Sequence, residues 1–235
     1  MTEGGTGNGT QGWGHYLGYS LSIPVVNNAI AGRSARSFTT EGHFANISAQ
    51  VQANDIVIIE FGHNDGGTPS LNTTDNGRSD CPGEGDQTCT SFYNGSTVIV
   101  HTYNYYLLAA AQSYISKGAK VIISSQTSTN PFEFGNYSYI PNRFVQYAAD
   151  VAGNTSTADV GFVDHGAYEA DYFKRLGSEV VDGFFFLDHT HTSPDGADAA
   201  SKAFVRGLVC SGPASGILGQ YVVNRTVEIE GSCLG

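Results

Sequence analysis

The sequence predicts a single α/β domain, residues 1–235, in which helices cover a parallel sheet, and three observations carry that prediction. Short apolar runs of strand length alternate with longer segments of helical period along the chain. One run, DIVIIEFG (Asp55–Gly62), is apolar at consecutive positions, as a strand buried on both faces must be. The length of 235 residues and the 40% share of hydrophobic side chains suffice for one sizeable core, and no repeat or linker divides it.

The elements follow in order. Trp13–Leu21 has the spacing of a short amphipathic helix, and Ile23–Asn27 reads as a strand. Phe44–Val51 reads as a turn or two of helix leading into the apolar strand of Asp55–Gly62. Gly66–Ser96 is rich in Gly, Asn, Asp and Ser and reads as a surface excursion. Val98–Lys117 is expected to be the longest helix, ended by Gly118 as a left-handed cap, with a strand at Lys120–Ser125. A helix from Pro141 to Val151, a strand at Val160–Val163 and a helix from Ser193 to Leu208 complete the series. Ser193 before Pro194 is an N-cap with proline at the first helical position. In such sheets, chemistry collects in loops at the carboxyl ends of strands.

Composition narrows the class of function. Charged residues make up 14% of the chain, against about a quarter in an average soluble protein, and 30 Gly is well above the usual share. A net charge of −11 without a Lys/Arg run argues against nucleic-acid and anionic-membrane partners. No apolar window is long enough to span a bilayer. The four Cys form two sequence-local pairs, Cys81/Cys89 and Cys210/Cys233, which read as disulfides. Seven Asn-x-Ser/Thr sequons stand at Asn8, Asn46, Asn72, Asn94, Asn136, Asn154 and Asn224. Together with the paired Cys they predict an oxidising, secretory history, although MTEGGTGNGTQG has neither the basic start nor the apolar run of an export signal.

Four segments carry candidate chemistry. Gly7-x-Gly9-x-x-Gly12 matches the dinucleotide fingerprint formally but lacks a preceding strand, and it reads as a loop. In FGHND (Phe61–Asp65), the side-chain NH2 of Asn64 is the kind of donor a developing oxyanion requires, and an ordinary Asx turn leaving a strand is the alternative. In NNAIAGRSAR (Asn27–Arg36), Gly32 has no Cβ to keep a ligand from its backbone N–H, and Ser34 lacks the Gly-x-Ser-x-Gly setting of an elbow nucleophile. In LDHTHTSP (Leu187–Pro194), Asp188 and His191 have the spacing of a carboxylate that orients an imidazole. The alternation of His189 and His191 leaves a metal pair as the rival, weakened by the lack of a third obvious ligand, and a structural histidine as the plain alternative.

Taken in order, Gly32, then Gly62-x-Asn64-Asp65, then Asp188-x-x-His191 resemble blocks II, III and V of the SGNH (GDSL-like) hydrolases. The words WGHYL, AGRSARS, EFGHNDGG, GAKVIISSQT, RFVQYA and DHTHTSP resemble, more narrowly, the fungal rhamnogalacturonan acetylesterases of carbohydrate esterase family 12. The resemblance covers essentially the whole chain. It implies a three-layer α/β/α, flavodoxin-like fold with a five-stranded parallel sheet, and hydrolysis of acetyl esters on rhamnogalacturonan without a metal or organic cofactor. It implies that His191 is the general base and then acid, that Asp188 orients it, and that the Gly32 N–H and the Asn64 side chain donate to the oxyanion. The expected partner is an acetylated polysaccharide, with no nucleic acid and no membrane, bound by a monomeric secreted protein. Arg33 is the cation expected to offset the acidic balance toward an anionic pectin. An acetylxylan or other glycan acetylesterase and an inactive carbohydrate-binding relative are the alternatives.

One block of the family pattern is missing. Block I, a strand ending in Gly-Asp-Ser, supplies the nucleophilic Ser and a third oxyanion donor, and no Gly-Asp-Ser occurs in the sequence. The chain's one Met is residue 1. The expectation is an N-terminally truncated version of a secreted esterase, with the export signal, the nucleophile and the first central strand all before that Met. Loss of that strand would leave two neighbouring strands with unpaired edges, so the chain as written is expected to fold poorly and to lack acyl-enzyme chemistry.

Overall fold

A computed structural model describes residues 1–155, 157–223 and 231–235. The chain divides into two compact units, one of residues 1–31, 127–142 and 163–235, the other of residues 32–126 and 143–162.

The second unit contains the sheet. Strands β1 (Ile56–Glu60), β4 (Lys120–Ser124) and β5 (Val160–Val163) lie in the order β1-β4-β5. β1 and β4 are parallel, with Ile58 opposite Ile122. Val121, Ile122 and Ile123 are all 0% exposed although their side chains alternate between faces, so β4 is covered on both sides as a parallel strand must be. Val121 and Ile123 pack with Ile59 against four helices, α1 (Ala35–Thr40), α2 (His43–Gln50), α3 (Tyr103–Ile115) and α4 (Arg143–Asn154). Phe38, Phe44, Leu107, Tyr114, Phe144 and Val151 fill this core. Burying each of these large side chains contributes about 1.5–3 kcal/mol. β1 lies at one edge of the order, and Ile56, Val57 and Ile58 are only half-buried.

Three expectations are corrected here. The described residues form three parallel strands, because Ile23–Asn27 is not a strand. It joins no ladder, Pro24 has no N–H to donate, and Val26 is 78% exposed. Trp13–Leu21 is two short 3₁₀ turns, Trp13–His15 and Leu17–Tyr19. Val98–Lys117 is not one helix. Its first residues belong to β3 (Ser96–His101), which pairs antiparallel with β2 (Thr88–Tyr93) across an Asn94-Gly95 turn. Both turn residues have positive φ, 51° and 81°, as a two-residue hairpin demands, and Val98, Ile99 and Val100 are β-branched. α3 then starts at Tyr103, where the Thr102 side chain caps the Tyr105 N–H. The excursion through residues 66–96 therefore ends in a hairpin. Gly118 does follow the helix with φ 82°.

The first unit is helical. α5 (His165–Leu176), α6 (Ser178–Phe184) and α8 (Gly212–Leu218) surround α7 (Pro194–Cys210), whose 17 residues make it the longest described helix. As predicted, Ser193 caps α7 through the Gly196 N–H and Pro194 opens it. Ala197, Ala199, Ala200 and Ala203 give α7 a small-residue face that is almost wholly buried. Against this helix, Trp13 stacks on Phe204 at 4.7 Å and meets the edge of His165 at 4.9 Å, while His165 Nε2 donates to the Ala200 carbonyl at 2.8 Å. That satisfied, fully buried histidine is structural.

Candidate active site

In the first unit, the loop before α7 carries the predicted acid–base pair. Asp188 Oδ1 accepts the backbone N–H groups of Thr190 and His191, each at 2.7 Å, and Oδ2 accepts Nδ1 of His191 at 2.7 Å. The carboxylate thus shapes the turn and fixes the ring together, leaving Nε2 as the free basic nitrogen. Partial desolvation works to raise the Asp188 pKa, but the hydrogen bonds from His191 and Thr190 prevail and hold it at about 2. The loop is tied on several sides. Asn130 N–H donates to the His189 carbonyl at 2.8 Å, and Ser193 N–H to the Phe184 carbonyl at 2.7 Å. Gln11 N–H donates to the Thr192 carbonyl at 2.9 Å, and the Thr192 hydroxyl returns a bond to the Gln11 carbonyl at 2.9 Å. The glycine-rich start, formally a nucleotide fingerprint, is thus a clasp on the residue after His191.

The second unit holds both candidate oxyanion donors. Gly32 has φ 73°, a left-handed conformation that favours glycine, and nothing lies within 4 Å of where its Cβ would stand except Arg78 Nη1, at 4.0 Å. Asn64 stands two residues after Gly62, whose φ of 143° is a backbone conformation that L side chains rarely adopt, so the turn after β1 favours glycine there. Arg78 Nη1 donates to Asn64 Oδ1 at 3.0 Å. A guanidinium only donates, so this bond fixes which end of the amide faces Arg78 and turns Nδ2 the other way.

Asp65 joins the two donor loops, a role its place in the sequence did not reveal. It is 0% exposed; Oδ1 accepts the Ala35 N–H at 2.7 Å and Oδ2 the Gly62 N–H at 2.9 Å. Asp80, 3% exposed, is buried beside it, and its N–H donates to the Asp65 carbonyl at 3.2 Å. Burial pushes Asp65 up to about 6, and burial followed by the Asp65 charge pushes Asp80 up as well. The loop between them is held by Arg36, 3% exposed, which makes a two-pronged pair with Asp75 at 3.0 and 2.7 Å and donates to the Ser79 carbonyl at 2.9 Å. Arg36 therefore anchors the residues on either side of Arg78.

The remaining sequence candidates are placed as follows. Ser34 is the fully buried N-cap of α1, in a reciprocal capping box with Ser37. Arg33 pairs with Glu41 at 2.8 Å. His189 turns to Glu133 at 3.1 Å while His191 turns to Asp188, so the alternating histidines serve different carboxylates. Among the described residues, no three His, Cys, Asp or Glu side chains are grouped to hold a metal ion. Cys81–Cys89 and Cys210–Cys233 are disulfides. Asn8, Asn46, Asn72, Asn94, Asn136 and Asn154 are exposed, and Asn224 lies outside the described residues. Among the described residues, no helix is long and apolar enough to cross a membrane.

The chain resembles known proteins in fold and in sequence. The crystal structure of the Bacillus subtilis protein YXIM matches with a TM-score of 0.63 at 20% identity, over 85% of this chain and 50% of that one. At that identity the likeness shows the fold alone, an α/β fold with a parallel sheet flanked by helices. A rhamnogalacturonan acetylesterase of Emericella nidulans is 49% identical over 225 residues, which is 96% of this chain and 87% of that protein. A Bacillus subtilis protein described as "Probable rhamnogalacturonan acetylesterase YesY" is 26% identical over 84% of this chain and 82% of its own length. Residues 1–199 match the model of the GDSL-like Lipase/Acylhydrolase family, and the chain belongs to that family of ester hydrolases.

Proposed function

We propose that the protein is a carbohydrate O-acetylesterase whose substrate is acetylated rhamnogalacturonan. The observation that carries this reading is the oriented Asp188–His191 pair in a chain 49% identical to a rhamnogalacturonan acetylesterase. His191 Nε2 takes the proton of an attacking hydroxyl and returns it to the leaving sugar oxygen, and Asp188 stabilises the imidazolium between the two steps. The Gly32 N–H and Asn64 Nδ2 stabilise the tetrahedral oxyanion. The serine that His191 activates is that of the family's Gly-Asp-Ser block, which the 235 residues do not contain. Two disulfides and six exposed sequon asparagines support secretion.

Acetate release is measured on the 235-residue chain and on the protein expressed from its native gene. The panel is acetylated rhamnogalacturonan, acetylxylan and an acetylated homogalacturonan. Release from rhamnogalacturonan fastest among the three is the expected result, and preference for acetylxylan overturns the substrate reading.

A further inference from the structure

Glu169 lies in the middle of α5, within the first unit, and is 0% exposed. The acid–base pair does not use this carboxyl group, and burying one is costly unless hydrogen bonds compensate it. Its Oε2 accepts the backbone N–H of Ser128, a buried residue in the irregular segment that follows β4 in the chain. A buried N–H needs an acceptor, and because this segment belongs to no strand a side chain supplies it. Two residues on, Asn130 is held three ways. Its Oδ1 accepts the Phe132 N–H at 2.9 Å, its Nδ2 donates to Asp182 at 2.9 Å, and its N–H donates to the His189 carbonyl at 2.8 Å. His189 stands between Asp188 and His191, in the turn that Asp188 holds from within, so Asn130 grips the same turn from without. α5 is itself fixed to α7, the helix that follows this turn: Asp171 accepts Nη1 of the buried Arg206 at 2.6 Å.

We propose that Glu169 is a positioning residue: through Ser128 and Asn130 it holds the His189 carbonyl, and with it the turn in which Asp188 meets His191. The catalytic part of the proposal deepens the acetylesterase reading and rests on it. Packing alone does not account for a carboxyl group at this place, since a methionine of similar length fills the same space without the cost of burying a polar group. What the carboxyl group adds is a strong acceptor, because a carboxylate oxygen binds an N–H more tightly than an amide oxygen does. Both hydrogen bonds of the path, from the Ser128 N–H and from the Asn130 N–H, involve backbone groups, so the path transmits position rather than charge. Release of Ser128 lets the segment move and slackens its grip on the His189 carbonyl. A misplacement of about 1 Å at a reacting group costs about a hundredfold in rate, so a fraction of that displacement is enough to be measured.

The test compares the native 235-residue chain with Glu169→Gln, which keeps a weaker acceptor, and Glu169→Met, which has none. Two signals are read by magnetic resonance: hydrogen exchange of the Ser128, Asn130 and His191 amides, and the nitrogen shifts of the His191 ring, which report its tautomer. The expected result is exchange that quickens about tenfold in Glu169→Met, the effect of one hydrogen bond, and less in Glu169→Gln, with the single Nδ1–H tautomer giving way to a mixture in the same order. Leu218→Ala, a buried substitution in α8, is the control for lost stability alone and is expected to lower the melting temperature while the tautomer stays native. In the protein expressed from its native gene, Glu169→Met is expected to lower kcat on acetylated rhamnogalacturonan about tenfold or more with KM little changed, and Glu169→Gln to recover part of the loss. Native exchange and a native tautomer in folded Glu169→Met overturn the proposal, as does a loss in Glu169→Gln equal to that in Glu169→Met. Where Glu169→Met does not fold, Glu169→Gln against the native chain decides, and unchanged exchange with an unchanged tautomer overturns the proposal. Failure of the acetylesterase reading appears separately, as no acetate released by the native protein from any glycan, and leaves the exchange and ring signals as they stand.

Discussion

Arg78 donates to the amide oxygen of Asn64 at 3.0 Å, and the same nitrogen lies 4.0 Å from where a Cβ on Gly32 would stand. One guanidinium therefore stands beside both candidate oxyanion donors and sets the orientation of one of them. Asn64→Ala is expected to lower kcat by about 10²–10³ with KM little changed, the cost of one oxyanion donor. Arg78→Ala is expected to lower kcat by a smaller factor, because the amide keeps its donor but loses its orientation, with partial rescue in Arg78→Lys. Steady-state kinetics of acetate release checks both; a normal kcat in Arg78→Ala would contradict the positioning role.

The Asp65–Asp80 pair makes stability fall with rising pH. The folded-state pKa of each carboxyl is raised above that of an unfolded chain, so the folded protein holds their protons more tightly. This contribution is complete below about pH 4, the ordinary value of an Asp, and is lost as pH rises through about 6. Asp188 acts in the opposite direction: its pKa is lowered to about 2, and its contribution is present above about pH 4 and lost as pH falls toward that value. Melting temperature followed from pH 4 to 8 is expected to decline in the native chain. Asp80→Asn, which offers Asp65 a permanent donor, is expected to flatten that decline.

Arg36→Ala leaves the Asp75 carboxylate buried without its partner, since the side chains of the pair are 3% and 1% exposed. Breaking a buried pair from one side costs about 3–5 kcal/mol. Chemical denaturation is expected to show a loss of that size, and Asp75→Asn with Arg36→Met a smaller one.

Cys210–Cys233 closes a loop with a sequence separation of 23 and joins the end of α7 to the C-terminal residues. Replacing both Cys by Ser is expected to cost about 3 kcal/mol, through the entropy of the unfolded chain. Cys81–Cys89, with a separation of 8, is expected to contribute somewhat less. Thermal unfolding of each double variant orders the two.

What the sequence disclosed was local. Asp188, His191, Ser193 and Pro194 stand within seven residues; the Asp188–His191 bond closes within that span, and the Ser193 cap reaches Gly196 two residues beyond it. Gly62 and Asn64 were legible for the same reason, as was the strand before them. Contacts distant in sequence were hidden: nothing in the spacing of Asp65 and Asp80, or of Asn64 and Arg78, announces that they meet. The β2–β3 hairpin is hidden although Asn94-Gly95 is a strong turn signal, because a polar stretch on one side and a run of helical period on the other mask it. Ile23–Asn27 has strand composition, but composition forms no strand without a partner to accept its hydrogen bonds.

The central claim is that Asp188 holds His191 in the tautomer that makes Nε2 a base toward an acetyl ester. The most direct measurement is acetate release from acetylated rhamnogalacturonan by the protein expressed from its native gene, native against Asp188→Asn, with circular dichroism confirming an unchanged fold. The account predicts a fall in kcat of about 10⁴ in the variant, because an asparagine amide can favour the wrong imidazole tautomer. Native-level acetate release by a folded Asp188→Asn protein would contradict it.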